Sequence, residues 1–293
     1  MIFSALFTGL ATLSGIARAG LSPVMGWGNN PTNLDLLVYT PSKIAAKPAV
    51  ILALHYCGGS GPAYAAMTRG YQAAAEKSGF IILYPSSKRD YNCWDVATNE
   101  TLTHDGGGDS NGLANILRWT VTKYNADPAK LFVTGSYSGC MMSNIMSAVY
   151  PDLITAASCY SGVAAGCVAG SPGSSPQSAD PACANGQHIK TGAAWAAQAR
   201  AMFPAWNGSY PRFTTWHGTA DTLVLYANLG EQIKEWTTLL GVRFTRNITD
   251  SPQSGYTQMV YGDGTKFVAF SAQGVGHTVP IHEDYDLKWF GLA

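Results

Sequence analysis

The chain has 293 residues, which is enough for one large α/β domain with a sizeable hydrophobic core. It carries 18 basic and 18 acidic side chains, so it has no net charge that would attract nucleic acid or an anionic membrane. Charged residues make up only 12% of the chain, about half the usual share, which suits an uncharged partner such as a polysaccharide.

The first residues form an apolar run that ends in the triplet Ala17-Arg18-Ala19. The run is too short for a membrane span and the triplet has the A-x-A form of a cleavage site, so we predict a signal peptide over residues 1–19. Three N-x-S/T sequons, at Asn99, Asn207 and Asn247, agree with a secreted glycoprotein. No later segment has the length of a transmembrane helix.

Strand-like and helical segments alternate along the rest of the chain. The strand-like segments are LDLLVYTP, AVILALHY, GFIILYPS, KLFVTGS, ITAASCYSG, RFTTWHG and KFVAFSA. Helical spacing predicts helices over residues 64–79, 111–127 and 228–241. This alternation predicts an α/β fold with a mostly parallel central sheet and helices on both faces. We expect residues 20–293 to form a single domain, with the Pro- and Ser-rich segment 169–186 as an internal loop.

The segment LFVTGSYSGCMM, residues 131–142, runs from apolar residues through glycine and serine into a helical stretch. This is the form of a nucleophile elbow, G-x-S-x-G, whose middle residue occupies a sharp strand-to-helix turn. Aligning the two glycines on Gly135 and Gly139 puts the nucleophile position at residue 137, which is tyrosine. The elbow therefore carries Tyr137 where the chemistry requires serine.

Asp221, in HGTAD, and His277, in GVGHTVP, each follow a predicted strand. The order elbow, Asp, His is that of α/β-hydrolases, in which the imidazole takes the nucleophile's proton and the carboxylate orients the imidazole. Taken singly, Asp221 is more readily a turn cap and His277 more readily a loop histidine, but together after an elbow they predict a catalytic triad. The glycine-rich segment HYCGGSG predicts an oxyanion loop, with the backbone N–H groups of Cys57 and Ser138 as donors.

Five segments of the chain resemble one family of enzymes. The segments LALHYCGG, CWDVATNETLTHDGGGDSNGLANI, VTGSxSGCMM, HGTAD and GVGHTVP are similar to those of fungal acetyl xylan esterases and feruloyl esterases of carbohydrate esterase family one. Bacterial relatives of that family resemble polyhydroxybutyrate depolymerases. The likeness runs from about Gly26 to the C-terminus, and it implies an α/β-hydrolase fold without a separate lid, a Ser–His–Asp triad and no cofactor.

The resemblance also assigns roles by position. Asp221 and His277 match the acid and the base of the family. Cys57 and Ser138 match its oxyanion donors. Trp94, in CWDV, matches a residue that lines the substrate cleft, although plain core packing is the alternative for this side chain.

Tyr137 departs from the family pattern, which has serine at this position. A shift of the nucleophile to Ser138 would need glycines at 136 and 140, where the chain has serine and cysteine. A tyrosyl nucleophile has a pKa near 10, and its length would carry the oxygen past the oxyanion hole. Three origins stay open for the substitution: a natural degenerate paralogue, an error in the sequence, and a deliberate inactivating change.

These observations together predict a secreted, monomeric carboxylic ester hydrolase that acts on plant cell-wall polysaccharide. Removal of acetyl groups from xylan is the first candidate activity, and cleavage of feruloyl esters is the alternative. A carbohydrate-binding protein that keeps the fold and lacks turnover is the rival from another class, and Tyr137 is its support.

Six cysteines in a secreted chain indicate three disulfides, and six cysteines allow fifteen pairings. We predict the pairs Cys57–Cys93, Cys140–Cys159 and Cys167–Cys183. The first pair follows two strands that should be neighbours, the second ties the elbow helix to the next strand, and the third brackets the Pro- and Ser-rich loop. Closing a loop of that size contributes about 3 kcal/mol. No C-x-x-C motif or His/Cys cluster predicts a metal site.

Overall fold

The structure, a computed structural model, describes residues 19–293. Apart from Ala19, the predicted signal peptide lies outside the described residues. The strands are β1 (Gly20–Val24), β2 (Asp35–Thr40), β3 (Val50–Leu54), β4 (Ile81–Ser86), β5 (Leu131–Ser136), β6 (Ala156–Tyr160), β7 (Arg212–Gly218), β8 (Phe244–Thr249), β9 (Tyr256–Tyr261) and β10 (Phe267–Ala272). They form one sheet in the order β1-β2-β4-β3-β5-β6-β7-β10-β9-β8.

The α-helices of the described part are α1 (Gly61–Met67), α2 (Arg69–Ser78), α3 (Asp109–Tyr124), α4 (Ser138–Val149), α5 (Pro181–Ala184), α6 (Gly192–Met202), α7 (Ala227–Leu240) and α8 (Glu283–Phe290). The structure describes no helix with both the length and the apolar character of a membrane span.

The six central strands, from β4 to β10 in the spatial order, run parallel to one another. Antiparallel strands extend the sheet at both ends, β2 and β1 on one side and β9 and β8 on the other. The predicted α/β fold with a mostly parallel central sheet is therefore confirmed. Within residues 19–293, no separate lid is present.

The central strands are buried on both faces, as parallel strands require. In β3, Val50, Leu52 and Leu54 pack into the core that contains side chains of α3, α4, α6 and α7. Ile51 and Ala53 point the opposite way, into the core that contains side chains of α1, α2 and α8. The sheet is thus the middle layer of three, and its carboxyl edge remains open for a functional site.

All seven strands predicted from the sequence are present, whereas β1, β8 and β9 were not predicted. The helix expected over residues 64–79 is divided into α1 and α2 at Thr68, whose dihedral angles leave the helical region. The Thr68 hydroxyl is buried and donates a hydrogen bond to the carbonyl of Tyr64 at 2.8 Å. This local hydrogen bond ends α1 one turn into the predicted helix.

Three disulfides join the six cysteines, and they are the predicted pairs: Cys57–Cys93, Cys140–Cys159 and Cys167–Cys183. The first links the segments that follow β3 and β4, which are neighbours in the sheet. The second links α4 to β6. These two bridges fix the loop after β3 and the start of α4, which together form one wall of the site described next.

Candidate active site

The segment between β5 and α4 is a sharp elbow. Tyr137 separates the two elements with φ of 53° and ψ of −114°, a strained conformation that L side chains rarely adopt. A side chain at Gly135 would collide with the backbone of Gly139, and a side chain at Gly139 would collide with the carbonyl of Leu54. The two glycines are therefore required by close packing, and the elbow geometry predicted from the sequence is present.

Asp221 and His277 meet beside this elbow. The Nδ1 atom of His277 lies 2.8 Å from Oδ2 of Asp221, although the residues are 56 positions apart. The other carboxylate oxygen of Asp221 accepts hydrogen bonds from the backbone N–H groups of Leu223 and Val224, both at 2.9 Å. Asp221 is buried and His277 is half-buried, so the pair lies between the core and the open edge of the sheet.

A second histidine, His217, touches the same carboxylate. Its Nε2 atom lies 3.2 Å from Oδ2 of Asp221 and 2.8 Å from the carbonyl of Val224. His277 is held in place by Ser161. The Ser161 hydroxyl donates a hydrogen bond to the backbone carbonyl of His277 at 2.7 Å. Our reading of the sequence missed His217, although it stands four residues before Asp221 within the segment HGTAD.

Hydrogen bonds set the ionisation of the acid. Burial alone would raise the pKa of Asp221, but hydrogen bonds from His217, His277 and the backbone of Val224 outweigh it and hold the pKa well below its ordinary value. Asp221 is therefore a carboxylate throughout the neutral range. A carboxylate in this position fixes the Nδ1–H tautomer of His277 and leaves Nε2 as the proton-accepting nitrogen. Within residues 19–293, that Nε2 atom has no hydrogen-bond partner.

Cys57 lines the same cavity as Tyr137, and Ser138 directly follows Tyr137 in the chain. Cys57 lies in the loop after β3, and Ser138 is the first residue of α4. In the part of the chain that the structure describes, neither backbone N–H donates a hydrogen bond. The N–H of Ser138 is free because the first N–H groups of a helix have no intrahelical acceptor. Two unsatisfied donors thus flank residue 137.

Trp94 lies behind this wall and not on it. Its side chain is fully buried, and its indole N–H donates to the carbonyl of His55 at 2.8 Å. Its backbone N–H donates to the hydroxyl oxygen of Ser138, also at 2.8 Å. The expectation that Trp94 lines the cleft is therefore not met, because these bonds hold it in the core between the loop after β3 and the elbow.

His55 completes the support of the loop. One of its ring nitrogens, Nδ1, lies 2.8 Å from the carbonyl of Tyr56, and the other, Nε2, accepts a hydrogen bond from the backbone N–H of Ser87 at 3.2 Å. The ring also packs on Trp94, with centroids 4.9 Å apart. His55 therefore joins the loop that carries Cys57 to the end of β4.

Tyr137, Cys57 and His277 all line a cavity of about 510 Å³ at the carboxyl edge of the sheet. Apolar side chains form much of its mouth, among them Met67, Leu223, Val279, Pro280 and Ile281. The ring of Tyr137 stands edge-on to the imidazole of His277, with centroids 4.5 Å apart. Burial, and then the charge of Asp221, raise the pKa of Tyr137 to about 12, so its phenol is neutral at physiological pH.

The sequence of this chain is similar to those of known proteins. A sequence profile of the family described as esterase PHB depolymerase matches residues 34–204, more than half of the chain. Feruloyl esterase B of Talaromyces funiculosus is 44% identical over 278 residues, which cover 95% of this chain and 78% of the relative. The chain belongs to the esterase PHB depolymerase family. Acetylxylan esterase A of Aspergillus awamori, another relative, is 43% identical over 282 residues, which cover 95% of this chain and 91% of that enzyme.

A solved structure extends the comparison with the esterase PHB depolymerase family to three dimensions. The acetyl xylan esterase from Aspergillus awamori superposes on this chain with a TM-score of 0.88 at 42% identity, covering 94% of this chain and 100% of the other. The predicted resemblance to acetyl xylan esterases and feruloyl esterases is thereby confirmed. The chain is built on the scaffold of carboxylic ester hydrolases.

Proposed function

We propose that this chain is an ester hydrolase scaffold for acylated plant cell-wall polysaccharide, with the acetyl groups of xylan as its first substrate. The observation that carries the proposal is the contact between Asp221 and His277 beside the elbow residue 137, at the wall of an open cavity. Relatives named acetylxylan esterase A and feruloyl esterase B support the substrate class.

In the proposed mechanism, residue 137 is the nucleophile position, His277 is the general base and Asp221 orients the base. The free Nε2 atom of His277 supports this assignment, because it is the atom that takes the nucleophile's proton. Attack on the acyl carbon would give an acyl-enzyme and release the sugar hydroxyl, and water activated by the same imidazole would then release the acid. No step of this cycle calls for a metal or cofactor.

Two backbone donors support the next part of the proposal, an oxyanion hole formed by Cys57 and Ser138. Both N–H groups lack an acceptor within residues 19–293, and both flank residue 137. Donors fixed in advance stabilise the negative charge of a tetrahedral intermediate without reorganisation, and removing one costs about 2.7–4 kcal/mol in other hydrolases. The disulfide Cys57–Cys93 and the buried Trp94 hold the two donors in position.

Tyr137 itself is a poor nucleophile in this setting. With a pKa of about 12, only a minute fraction of the phenol is ionised at neutral pH. Neighbouring serines do not replace it: the hydroxyl of Ser138 is buried and accepts the bond from Trp94, and the hydroxyl of Ser136 pairs with that of Tyr64 at 3.0 Å. We therefore propose that the chain with tyrosine at 137 turns over esters very slowly.

Two further candidate functions follow from particular observations. The exposed apolar side chains at the cavity mouth, such as Leu223 at 62% and Met67 at 49% exposure, favour an aromatic acyl group and hence feruloyl ester cleavage. Tyr137 favours a carbohydrate-binding protein without turnover. A glycan pull-down beside an esterase assay on a chromogenic acetate separates binding from hydrolysis, and the variant Tyr137→Ser assayed on acetyl and feruloyl esters separates the two activities.

We also propose that the protein is secreted as a monomer in which residues 20–293 form one domain. The A-x-A triplet before Gly20, three sequons and three disulfides support an oxidising compartment. The partner of the mature chain would then be xylan outside the cell. Size-exclusion chromatography with light scattering tests the monomer.

A further inference from the structure

A second cavity, of about 640 Å³, lies at the edge of the sheet opposite the candidate active site. Arg212 begins β7 and Lys266 directly precedes β10, so both stand at the amino ends of parallel strands. Asp221 and His277 follow the carboxyl ends of the same two strands. Because β7 has seven residues at about 3.3 Å each, roughly 20 Å of strand separates the two edges.

Three cationic side chains line this second cavity, Arg200, Arg212 and Lys266, and no carboxylate does. Among residues 19–293, none of the three forms a salt bridge. Hydrogen bonds from Thr265 and the charge of Lys266 lower the pKa of the exposed Asp263, so Lys266 has one acidic neighbour, which lies outside the cavity wall. The cavity is therefore locally positive on a neutral protein.

Arg212 is the least solvated of the three cations. Its guanidinium carbon lies 5.4 Å from the centroid of the Trp289 ring, and burial lowers the pKa of Arg212. Removing a cation from water without a paired anion costs free energy, and a bound anion would offset that cost. The planar guanidinium fork matches a carboxylate in two hydrogen bonds, a fit that a lysine cannot offer.

The rest of the cavity wall resembles a sugar site more than a site for a bare anion. Trp206 and Tyr210, in the loop between α6 and β7, are half-buried and present aromatic surface. Ser209 and Thr265 add hydroxyl groups. Aromatic rings pack against the C–H faces of sugars, while hydroxyls exchange hydrogen bonds with sugar hydroxyls, so few polar groups on an apolar wall fix the orientation of the ligand.

We propose that this cavity binds a carboxylated saccharide, a uronic acid unit of an oligosaccharide or polysaccharide, separately from the catalytic cavity. The proposal rests on the proposed function only in taking the partner to be a plant polysaccharide. Binding at the amino edge would hold one part of the polymer while esters elsewhere on it meet the carboxyl edge. Such tethering raises the effective concentration of the ester without any new contact at the reaction centre.

The sequon residue Asn207 is exposed on the rim of the same cavity. An N-linked glycan there would stand beside the proposed site and compete with an added saccharide. All proteins in the test therefore carry Asn207→Gln. The test compares three versions of the full chain: the parent, the double variant Arg212→Gln/Lys266→Ala, and a control, Lys47→Ala/Lys123→Ala, that removes two exposed cations elsewhere.

Isothermal titration calorimetry measures binding of a xylo-oligosaccharide with one glucuronic acid substituent and of the unsubstituted oligosaccharide of equal length. We expect the parent and the control to bind the acidic oligosaccharide at least about tenfold more tightly than the unsubstituted one. A tenfold difference in affinity corresponds to about 1.4 kcal/mol. The double variant should lose this preference, and added salt should weaken it in the other two.

Equal affinity of the parent for the two oligosaccharides would overturn the proposal, as would an undiminished preference in the double variant. Inorganic phosphate binding as tightly as the acidic oligosaccharide would also overturn it, because the site would then recognise charge alone. These measurements involve no ester and no residue of the catalytic cavity. Failure here is therefore distinguishable from failure of the proposed esterase, which is assayed through residue 137.

Discussion

The ring of Tyr137 meets the imidazole of His277 edge to face, with 4.5 Å between their centroids. Within residues 19–293, the Nε2 atom of His277 has no hydrogen-bond partner, so the tyrosine contacts the base through its ring. The imidazole and the carboxylate that we propose as the base and its orienting group are in contact, while the residue that they would activate is a neutral phenol. The contact between His277 and Asp221 and the identity of residue 137 can therefore be tested separately.

We expect the carboxylate of Asp221 to affect esterase activity only when residue 137 is a competent nucleophile. In a Tyr137→Ser background, Asp221→Asn should lower kcat on a chromogenic acetate by about 10⁴-fold, because an amide stabilises the wrong tautomer of His277. Asp263→Asn, at an exposed turn, is the matched control and should leave kcat unchanged. A loss of less than tenfold in the Asp221 variant would show that His277 is not oriented by this carboxylate.

His217 should act as a positioning residue for Asp221. In the same background, His217→Ala removes a donor from Oδ2 of Asp221 and should lower kcat by roughly tenfold, the equivalent of one hydrogen bond to a charged group. His217→Gln, which keeps an N–H donor, should restore much of the activity. A rate in His217→Gln that stays as low as in His217→Ala would contradict the positioning role.

A buried carboxyl group away from the site makes stability depend on pH. Asp286, in α8, is fully buried and accepts hydrogen bonds from the hydroxyls of Ser158, Tyr160 and Tyr71. Burial, partly offset by these bonds, raises the pKa of Asp286 to about 7. The folded state therefore holds its proton more tightly than the unfolded chain, whose aspartates titrate near pH 3.9.

The stability that Asp286 contributes is therefore complete below about pH 4 and is lost as the pH rises through about 7. Relative to Asp286→Asn, the free energy of unfolding of the parent should fall by on the order of 4 kcal/mol between pH 4 and pH 8. Chemical denaturation across this range measures the difference. Asp152→Asn, at an exposed position, should show no such trend. If the difference in free energy of unfolding between the parent and Asp286→Asn does not change with pH, the raised pKa of Asp286 is contradicted.

Processing of the chain gives a separate prediction. If Ala17-Arg18-Ala19 is a cleavage site, protein secreted by a fungal host should begin at Gly20 and carry N-linked glycans. N-terminal sequencing and intact mass before and after deglycosylation measure both. Secreted protein that still begins at Met1 would contradict the signal peptide.

Much of the fold followed from the alternation of strand-like and helical segments, and strands such as β3 and β4 are apolar runs buried on both faces. β8 was missed for the opposite reason: all six of its residues are exposed, so its sequence carries no buried face to detect. The break between α1 and α2 at Thr68 was not predicted. It depends on the hydrogen bond from the Thr68 hydroxyl to the carbonyl of Tyr64 and on the contact between the hydroxyls of Thr68 and Tyr84.

The elbow could be predicted from the sequence because its close backbone packing restricts which residues can occupy it. The spacing of Gly135 and Gly139 is required by close backbone contacts, so it marks the elbow in any sequence that forms one. The contact of His217 with Asp221 and the burial of Trp94 depend on how separate loops pack together, which no local pattern encodes. The resemblance implied that Trp94 lines the substrate cleft, whereas the structure agrees with the alternative of core packing.

The esterase activity of Tyr137→Ser decides whether residue 137 is the nucleophile position. With His277, Asp221 and the two backbone donors in place, the variant should hydrolyse a chromogenic acetate at least about a thousandfold faster than the parent, since loss of a nucleophile alone costs on the order of a millionfold. Tyr137→Ala is the matched control, because it removes the phenol without supplying a hydroxyl, and it should stay near the parental rate. If Tyr137→Ser is no faster than the parent, or if Ser138→Ala abolishes a robust activity of the parent, residue 137 is not the nucleophile position.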